Sequence, residues 1–265
     1  MRIWAVANQK GGVGKTTTAV TLGGHCAARG LRTLLVDLDP HGSLTSYFGF
    51  DPETLPTGVY SLFRADSLQP LQVAGLVRET PESALSLLPA STALATLDRQ
   101  LGAREGMGLV IKRALAAVAD RFDQVLIDCP PMLGVLMVNA LAACDHLLIP
   151  VQTEFLAIKG LQRMLHTLAM IERGRSLQVP YTIVPTMFDR RTRASVDSLR
   201  VLRERFADRI WSGVVPVDTQ FREASRIGRP LGHLQPHARG AEAYGELLDS
   251  LIGSDVSISE RAALS

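Results

Sequence analysis

Short apolar runs alternate with longer stretches whose apolar positions recur at helical spacing, from the first residues to about position 250. The short runs are residues 2–7, 32–37, 85–88, 124–128, 146–150, 181–185 and 213–215. Several are apolar at nearly every position, as strands covered on both faces are. Helical spacing marks residues 15–28, 109–119, 134–142, 159–171, 195–206 and 238–251. Strands that alternate with helices predict a mostly parallel sheet flanked by helices, an α/β fold. Residues 50–83 mix proline, glycine and polar positions and read as an excursion from that pattern. Residues 253–265 are small and polar and read as a frayed, disordered tail after one domain of residues 1–252.

The first junction between strand and helix carries the chemistry. Residues 8–18 read Asn-Gln-Lys-Gly-Gly-Val-Gly-Lys-Thr-Thr-Thr. A strand that breaks into glycines and then enters a helix aims backbone N–H groups, the positive end of the helix and a lysine at one point, which suits a polyphosphate. Gly11, Gly12, Val13 and Gly14 would supply the cradle. Lys15 would reach the β and γ phosphates, Thr16 would ligate Mg²⁺, and Thr17 follows in the helix's first turn. The strict phosphate-loop pattern wants glycine at position 9, where this chain has Gln9. Of 28 lysines and arginines only four are lysines, and two of them, Lys10 and Lys15, lie in this loop.

A phosphate loop needs a metal-holding carboxylate at the end of a neighbouring strand. Val125-Leu126-Ile127-Asp128 supplies one in Asp128. The second strand ends in Asp37-Leu38-Asp39-Pro40-His41, with both carboxylates at the edge of the sheet where ligands bind.

The loop Asn8 to Thr17 resembles the deviant phosphate loop of the ParA/MinD ATPases. The resemblance implies a single-domain P-loop NTPase that hydrolyses ATP with Mg²⁺. It also implies a sandwich homodimer in the ATP state, with Lys10 reaching the partner's nucleotide. By the same match Asp39 orients the attacking water and supports the metal with Thr16 and Asp128, while Asp37 is structural. Cys129-Pro130-Pro131 resembles the family's γ-phosphate switch, and Pro150-Val151-Gln152-Thr153-Glu154 resembles a loop near the dimer interface. His41 replaces the family's usual glutamine and reads as a solvent-facing or loop-bracing residue. Pro185-Thr186-Met187-Phe188-Asp189 and Pro216-Val217-Asp218 match the adenine end of the site, which assigns Met187, Pro216 and Asp218 to the base. Asp218 stands where relatives carry asparagine.

Composition limits the partners. A chain of 265 residues, 46% hydrophobic, can bury a full core. No run of about eighteen apolar residues occurs, and the first residues lack a signal-peptide pattern, so the expected location is cytoplasmic. The three cysteines are widely spaced and suggest neither a disulfide framework nor a zinc site. Net charge is only +2, yet between positions 185 and 240 eleven arginines face six acids. With the resemblance, that excess implies DNA binding without sequence preference in the ATP state, and the candidates are Arg191, Arg193, Arg222 and Arg226. The last helical stretch carries Glu242, Glu246 and Asp249 without lysine or arginine from 241 to 252, which argues against membrane binding.

The implied function is a positioning ATPase that segregates chromosomes or plasmids, or distributes a cargo such as a chemotaxis array. A ParB-like or cargo-adaptor protein would stimulate it, and it would reside on the nucleoid or at a cell pole. Two alternatives stand beside it: a metabolic phosphate-loop enzyme of the cobyrinate amidase or dethiobiotin synthetase type, and an ATP switch that binds protein but not DNA.

Overall fold

The computed structural model describes residues 1–265 apart from 66, 98–105, 176, 177, 264 and 265, and leaves out the side chains of 174, 175 and 254–263. Seven strands form one sheet: β1 (Arg2–Val6), β2 (Thr33–Asp37), β3 (Arg78–Glu79), β4 (Leu85–Leu88), β5 (Gln124–Asp128), β6 (His146–Gln152) and β7 (Tyr181–Thr186). Their order is β3-β4-β2-β5-β1-β6-β7, and every pairing is parallel except that of the two-residue edge strand β3 with β4. The α/β expectation is met.

Alternation along each strand divides the core into two layers. Ile3, Ala5, Leu34, Val36, Val125 and Ile127 face one side. There they pack under α3 (Val59–Arg64), α5 (Val110–Ala116), α6 (Val135–Ala143) and α7 (Phe155–Arg175). Trp4, Val6, Leu35, Leu126 and Leu148 face the other, against α1 (Lys15–Ala28) and α11 (Arg239–Ala263). Burial of these apolar faces on both sides of the sheet is the main force that closes the fold. Gly24 of α1 lies against Pro230, so close that an added Cβ would meet the ring at 2.4 Å. Only glycine lets the helix and that segment approach so far.

The remaining helices are α2 (Ser43–Tyr47), α4 (Pro70–Leu76), α8 (Arg193–Arg205), α9 (Gln220–Ile227) and α10 (Leu231–Leu234). The excursion at 50–83 thus contains α3, α4 and β3, elements too short for periodicity to reveal. Helix α7 starts at Phe155, four positions before the predicted 159, because its first residues Phe155 and Leu156 are apolar but 70% and 63% exposed. The helical pattern predicted to stop at 251 continues to Ala263, through most of the segment read as a frayed tail.

Residues 213–215 are not a strand of the sheet, contrary to the sequence expectation. Trp211 N–H donates to Ile183 O at 2.9 Å and Val215 N–H donates to Pro185 O at 2.8 Å. Between them the chain lifts away, because the Trp211 indole folds over Gly213 and occupies the place of its missing side chain. Only isolated bridges to β7 and its following turn result.

A polar clasp joins the C-terminal helices to the rest. Glu82, just before β4, is 8% exposed and pairs with both Arg229 and His233. His233 Nε2 also faces Gly24 O of α1 at 3.0 Å. Both ring nitrogens of His233 are therefore engaged, one by Glu82 and one by α1. Burial pushes the Glu82 carboxyl up, but the hydrogen bonds from Arg229 and His233 outweigh it and hold the group below its ordinary value. Removing that charge leaves the Arg229 guanidinium without its anionic partner and the His233 ring without a full acceptor. Glu82→Gln is expected to cost about 2 kcal/mol, less than a fully buried pair because Arg229 is partly exposed. The melting temperature should fall roughly 4–8 °C at pH 7. A carboxyl lowered in the fold contributes above its unfolded pKa and loses that contribution as pH falls through the folded value. The deficit should therefore shrink in acid, as thermal melts across pH would record.

Candidate nucleotide site

Parallel register creates the site. Val6 pairs with Asp128, and Asp128 pairs with Asp37, so β1, β5 and β2 end side by side. The chain leaving β1 turns through Gly12 at φ 73° and Gly14 at φ 94°, left-handed conformations that glycine adopts without steric cost. Thr18 N–H and Oγ1–H both donate to Gly14 O at 2.8 Å, which closes the first turn of α1.

Neighbouring strands clip this loop. Asn8 Nδ2 donates to Pro150 O of β6 at 2.8 Å, while Asn8 Oδ1 accepts the Lys10 amide at 3.0 Å. Thr186 Oγ1, at the end of β7, donates to Val13 O at 2.9 Å. Gln9, the departure from the strict pattern, donates from Nε2 to Thr167 Oγ1 of α7 at 2.8 Å. Gly11 and Gly12 are exposed with open space around them, and half-buried Thr17 follows on α1. The Lys15 side chain is buried and folds back so that Nζ donates to Lys10 O at 3.4 Å. It spans the cradle in which a polyphosphate would sit.

Below the loop lie the carboxylates. Asp37 accepts Thr45 N–H at 2.8 Å, Thr45 Oγ1–H at 2.7 Å and Asp39 N–H at 3.1 Å. Three donors and complete burial make it the brace of the turn after β2. Asp128 accepts Thr16 Oγ1–H at 2.6 Å through Oδ2, whereas its buried Oδ1 has no partner. Burial pushes both carboxyls well above the ordinary aspartate value, and the charge of Asp37 adds to the effect on Asp128. The three donors on Asp37 oppose its shift, and the Thr16 hydroxyl opposes that of Asp128.

An orphaned buried carboxylate oxygen costs free energy unless a cation or proton meets it. Asp128 Oδ1 beside the Thr16 hydroxyl fits Mg²⁺. Among the described residues no three His, Cys, Asp or Glu side chains gather in a closed metal cage. Mg²⁺ at phosphate sites keeps several waters and takes other ligands from the phosphates. Asp39 Oδ1 accepts the His41 amide at 3.0 Å and pairs with His41 Nδ1 at 2.8 Å. His41, 80% exposed at its side chain, thus braces Asp39 and leaves the aspartate's other oxygen for a water or metal shell.

Other predicted residues are placed differently. Lys10 is ion-paired with Glu154 of its own chain, a partner that the sequence reading did not assign to it. Asp218 accepts Gln220 N–H through Oδ1 and Gly240 N–H through Oδ2, both at 3.0 Å. Its carboxylate fastens α9 to the start of α11, and each oxygen keeps a lone pair for a further donor. Met187 takes a left-handed φ of 52°, and Val217 N–H donates to Phe188 O at 3.1 Å. Met187 and Pro216 are therefore held together, beside a cavity of about 460 Å³ lined in part by Phe188, Pro216 and Arg239.

Three of the four candidate DNA contacts have local partners. Arg191 pairs with Asp189 at 2.9 Å, Arg193 with Asp197 at 3.5 Å and Arg226 with Glu223 at 3.1 Å. Each guanidinium is at least 73% exposed, so these pairs are weak and exchangeable. Arg222 lies one turn before Arg226 on α9. The bridge between Phe188 and Pro216 joins the two segments that carry the four arginines.

Comparison with known proteins agrees with this geometry. A family model described as an AAA domain matches residues 1–179. The sporulation initiation inhibitor protein Soj of Bacillus subtilis is 36% identical, over 93% of this chain and 96% of its own length. The chromosome partitioning protein ParA of Caulobacter vibrioides is 35% identical over 99% and 98%. Among solved structures, cobyrinic acid a,c-diamide synthase from Mycobacterium smegmatis with bound ADP and magnesium superposes with a TM-score of 0.81 at 36% identity, covering 95% and 94%. Apo McdA from Cyanothece does so with a TM-score of 0.81 at 25% identity, covering 94% and 99%. With a glycine cradle, a lysine on either side of it and a threonine–aspartate pair at the sheet's edge, and with such relatives along nearly its whole length, the chain belongs to the Soj/ParA family of ATPases.

Proposed function

We propose that this protein hydrolyses ATP and uses the cycle as a positioning switch: an ATP-bound homodimer that holds DNA without sequence preference and distributes a chromosome, plasmid or other cargo. The observation that carries the ATPase reading is the Thr16–Asp128 hydrogen bond with Asp128 Oδ1 left orphaned beneath the glycine cradle. The positioning reading rests on the chromosome-partitioning relatives and on the arginines around α8 and α9.

In this reading Lys15 and the loop amides hold the phosphates, and Lys10 adds a cation across the dimer. Bound Mg²⁺, held by Thr16 and Asp128, would neutralise charge as it builds on the transferring phosphoryl group. Asp39, steadied by His41, orients the attacking water; no side-chain nucleophile is needed. Met187, Pro216 and Asp218 border the base. The turn after β5 exposes Met132 and Leu133 and the start of α7 exposes Phe155 and Leu156, apolar surface that a second copy would cover. A ParB-like or adaptor protein would stimulate hydrolysis and release DNA.

A second reading keeps the ATP chemistry and changes its use. The Mycobacterium smegmatis structure is named for a metabolic enzyme, at an identity equal to that of Soj. Size-exclusion chromatography with ATP, ADP or no nucleotide, each with and without DNA, separates the two. A dimer specific to ATP that alone captures DNA supports the switch. A species indifferent to nucleotide, with turnover that requires a small carboxylate substrate, supports the metabolic enzyme.

Asp39→Ala should lower ATP turnover about 100-fold or more while nucleotide binding persists. Turnover at the parent rate in a folded variant would remove Asp39 from its role. Asp128→Asn should weaken binding of ATP in Mg²⁺ and, in the nucleotide-free protein, raise the melting temperature increasingly as pH climbs. The sign follows from linkage: the unfolded aspartate ionises near 3.8, the buried one resists, and the parent loses stability as pH rises toward the raised folded value. Parallel melts at pH 4 and pH 8 would test it. DNA binding should fall steeply with salt, and Arg222→Glu should weaken it for every sequence alike while lowering the salt slope by about 1.

A further inference from the structure

The ion pair between Lys10 and Glu154 ties the phosphate loop to the start of α7 within one chain. Both ends are fixed by their backbones. The Lys10 amide donates to Asn8 Oδ1, and Asn8 is in turn held by Pro150 O. On the other side, Glu154 N–H donates to Gln152 O at 2.8 Å, and Glu154 O accepts from Ala157 N–H at 3.1 Å. Thr153, immediately before it, is pinned by Thr186 O and by a 2.6 Å hydrogen bond with Ser195 Oγ. The two side chains remain 27% and 39% exposed, so the pair is accessible and breakable. Among the described residues Glu154 has no other cationic partner within ion-pair distance.

An amine held in this way is not available to a neighbouring molecule. For Lys10 to reach a partner's phosphate it must leave Glu154, and a carboxylate is then stranded beside Phe155 and Leu156, on the surface a second copy would cover. Both protomers of a two-fold dimer meet the same demand, so the opposition counts twice. The triphosphate of ATP offers the lysine more negative charge than a carboxylate or a diphosphate does, which makes release selective for the ATP state.

We propose that Glu154 is a latch that holds Lys10 in cis and sets the protein concentration at which ATP drives dimerisation. This rests on the reading that Lys10 acts across the dimer. Glu154 is here a positioning residue, acting only through the lysine.

The test is the dimer dissociation constant in ATP and Mg²⁺, measured by sedimentation on the full chain carrying Asp39→Ala to suppress hydrolysis. Glu154→Gln is added in one sample and Lys10→Gln in another. Freeing two exposed ion pairs should tighten the Glu154→Gln dimer roughly tenfold. A misfolded variant would not produce that gain. A dissociation constant that is unchanged or weaker with Glu154→Gln, while Lys10→Gln abolishes the dimer, overturns the latch and leaves the trans reading standing. Dimerisation of Lys10→Gln at the parent concentration overturns the trans reading and the latch with it.

Discussion

Two carboxylates, Asp37 and Asp128, are buried next to one another at the ends of adjacent parallel strands. In a low-dielectric interior neither is tolerable as a bare charge, and the surroundings divide the problem between them. Asp37 receives three hydrogen-bond donors and becomes a fixed part of the turn after β2. Asp128 receives one, from Thr16, and keeps an oxygen without a partner. The unequal sharing leaves one buried side-chain oxygen without a partner among the described residues, and it lies where the phosphate loop opens. In the proposed function a cation delivered with a phosphate would relieve it, and the desolvation of Asp128 would then favour binding of a metal–nucleotide complex.

Rigidity around that position comes from clips of different origin. Thr186 holds the loop at Val13 and Asn8 holds it to β6. Thr18, one turn into α1, shares a 2.7 Å hydrogen bond with Tyr244 of α11. Helix α1 therefore carries the nucleotide loop at one end and contacts the C-terminal helices along its side. The Glu82 clasp, through His233 and Gly24, fastens the same region again. Packing across α1 thus links the phosphate loop physically to the segments that carry the arginines.

Much of the architecture was legible because the strands are buried on both faces. Runs such as Leu34-Leu35-Val36 and Val125-Leu126-Ile127 leave no polar phase to misread, and β4 and β5 match the predicted bounds. Pattern reading failed where an element is short, exposed or irregular. Helices α3 and α4 have too few turns to show a period, α7 opens with exposed apolar residues, and Trp211 over Gly213 turns a strand-like run into two isolated bridges. The phosphate loop and the candidates Asp39 and Asp128 were named from local order, since each sits at or just after a strand end. The pairing of Lys10 with Glu154 left no such mark, because 144 positions separate the two.

By itself the sequence determined the α/β class and the location of the phosphate loop and named a candidate metal-side carboxylate, since apolar periodicity and turn chemistry are properties of neighbours in the chain. Tertiary structure decided what each charged group does. Asp218 accepts the amides of Gln220 and Gly240, His41 turns back on Asp39, three candidate arginines find local acids, and Lys10 finds Glu154. A charge acts through whatever lies within a few ångströms, and in a folded chain those neighbours are set by strand order and helix packing.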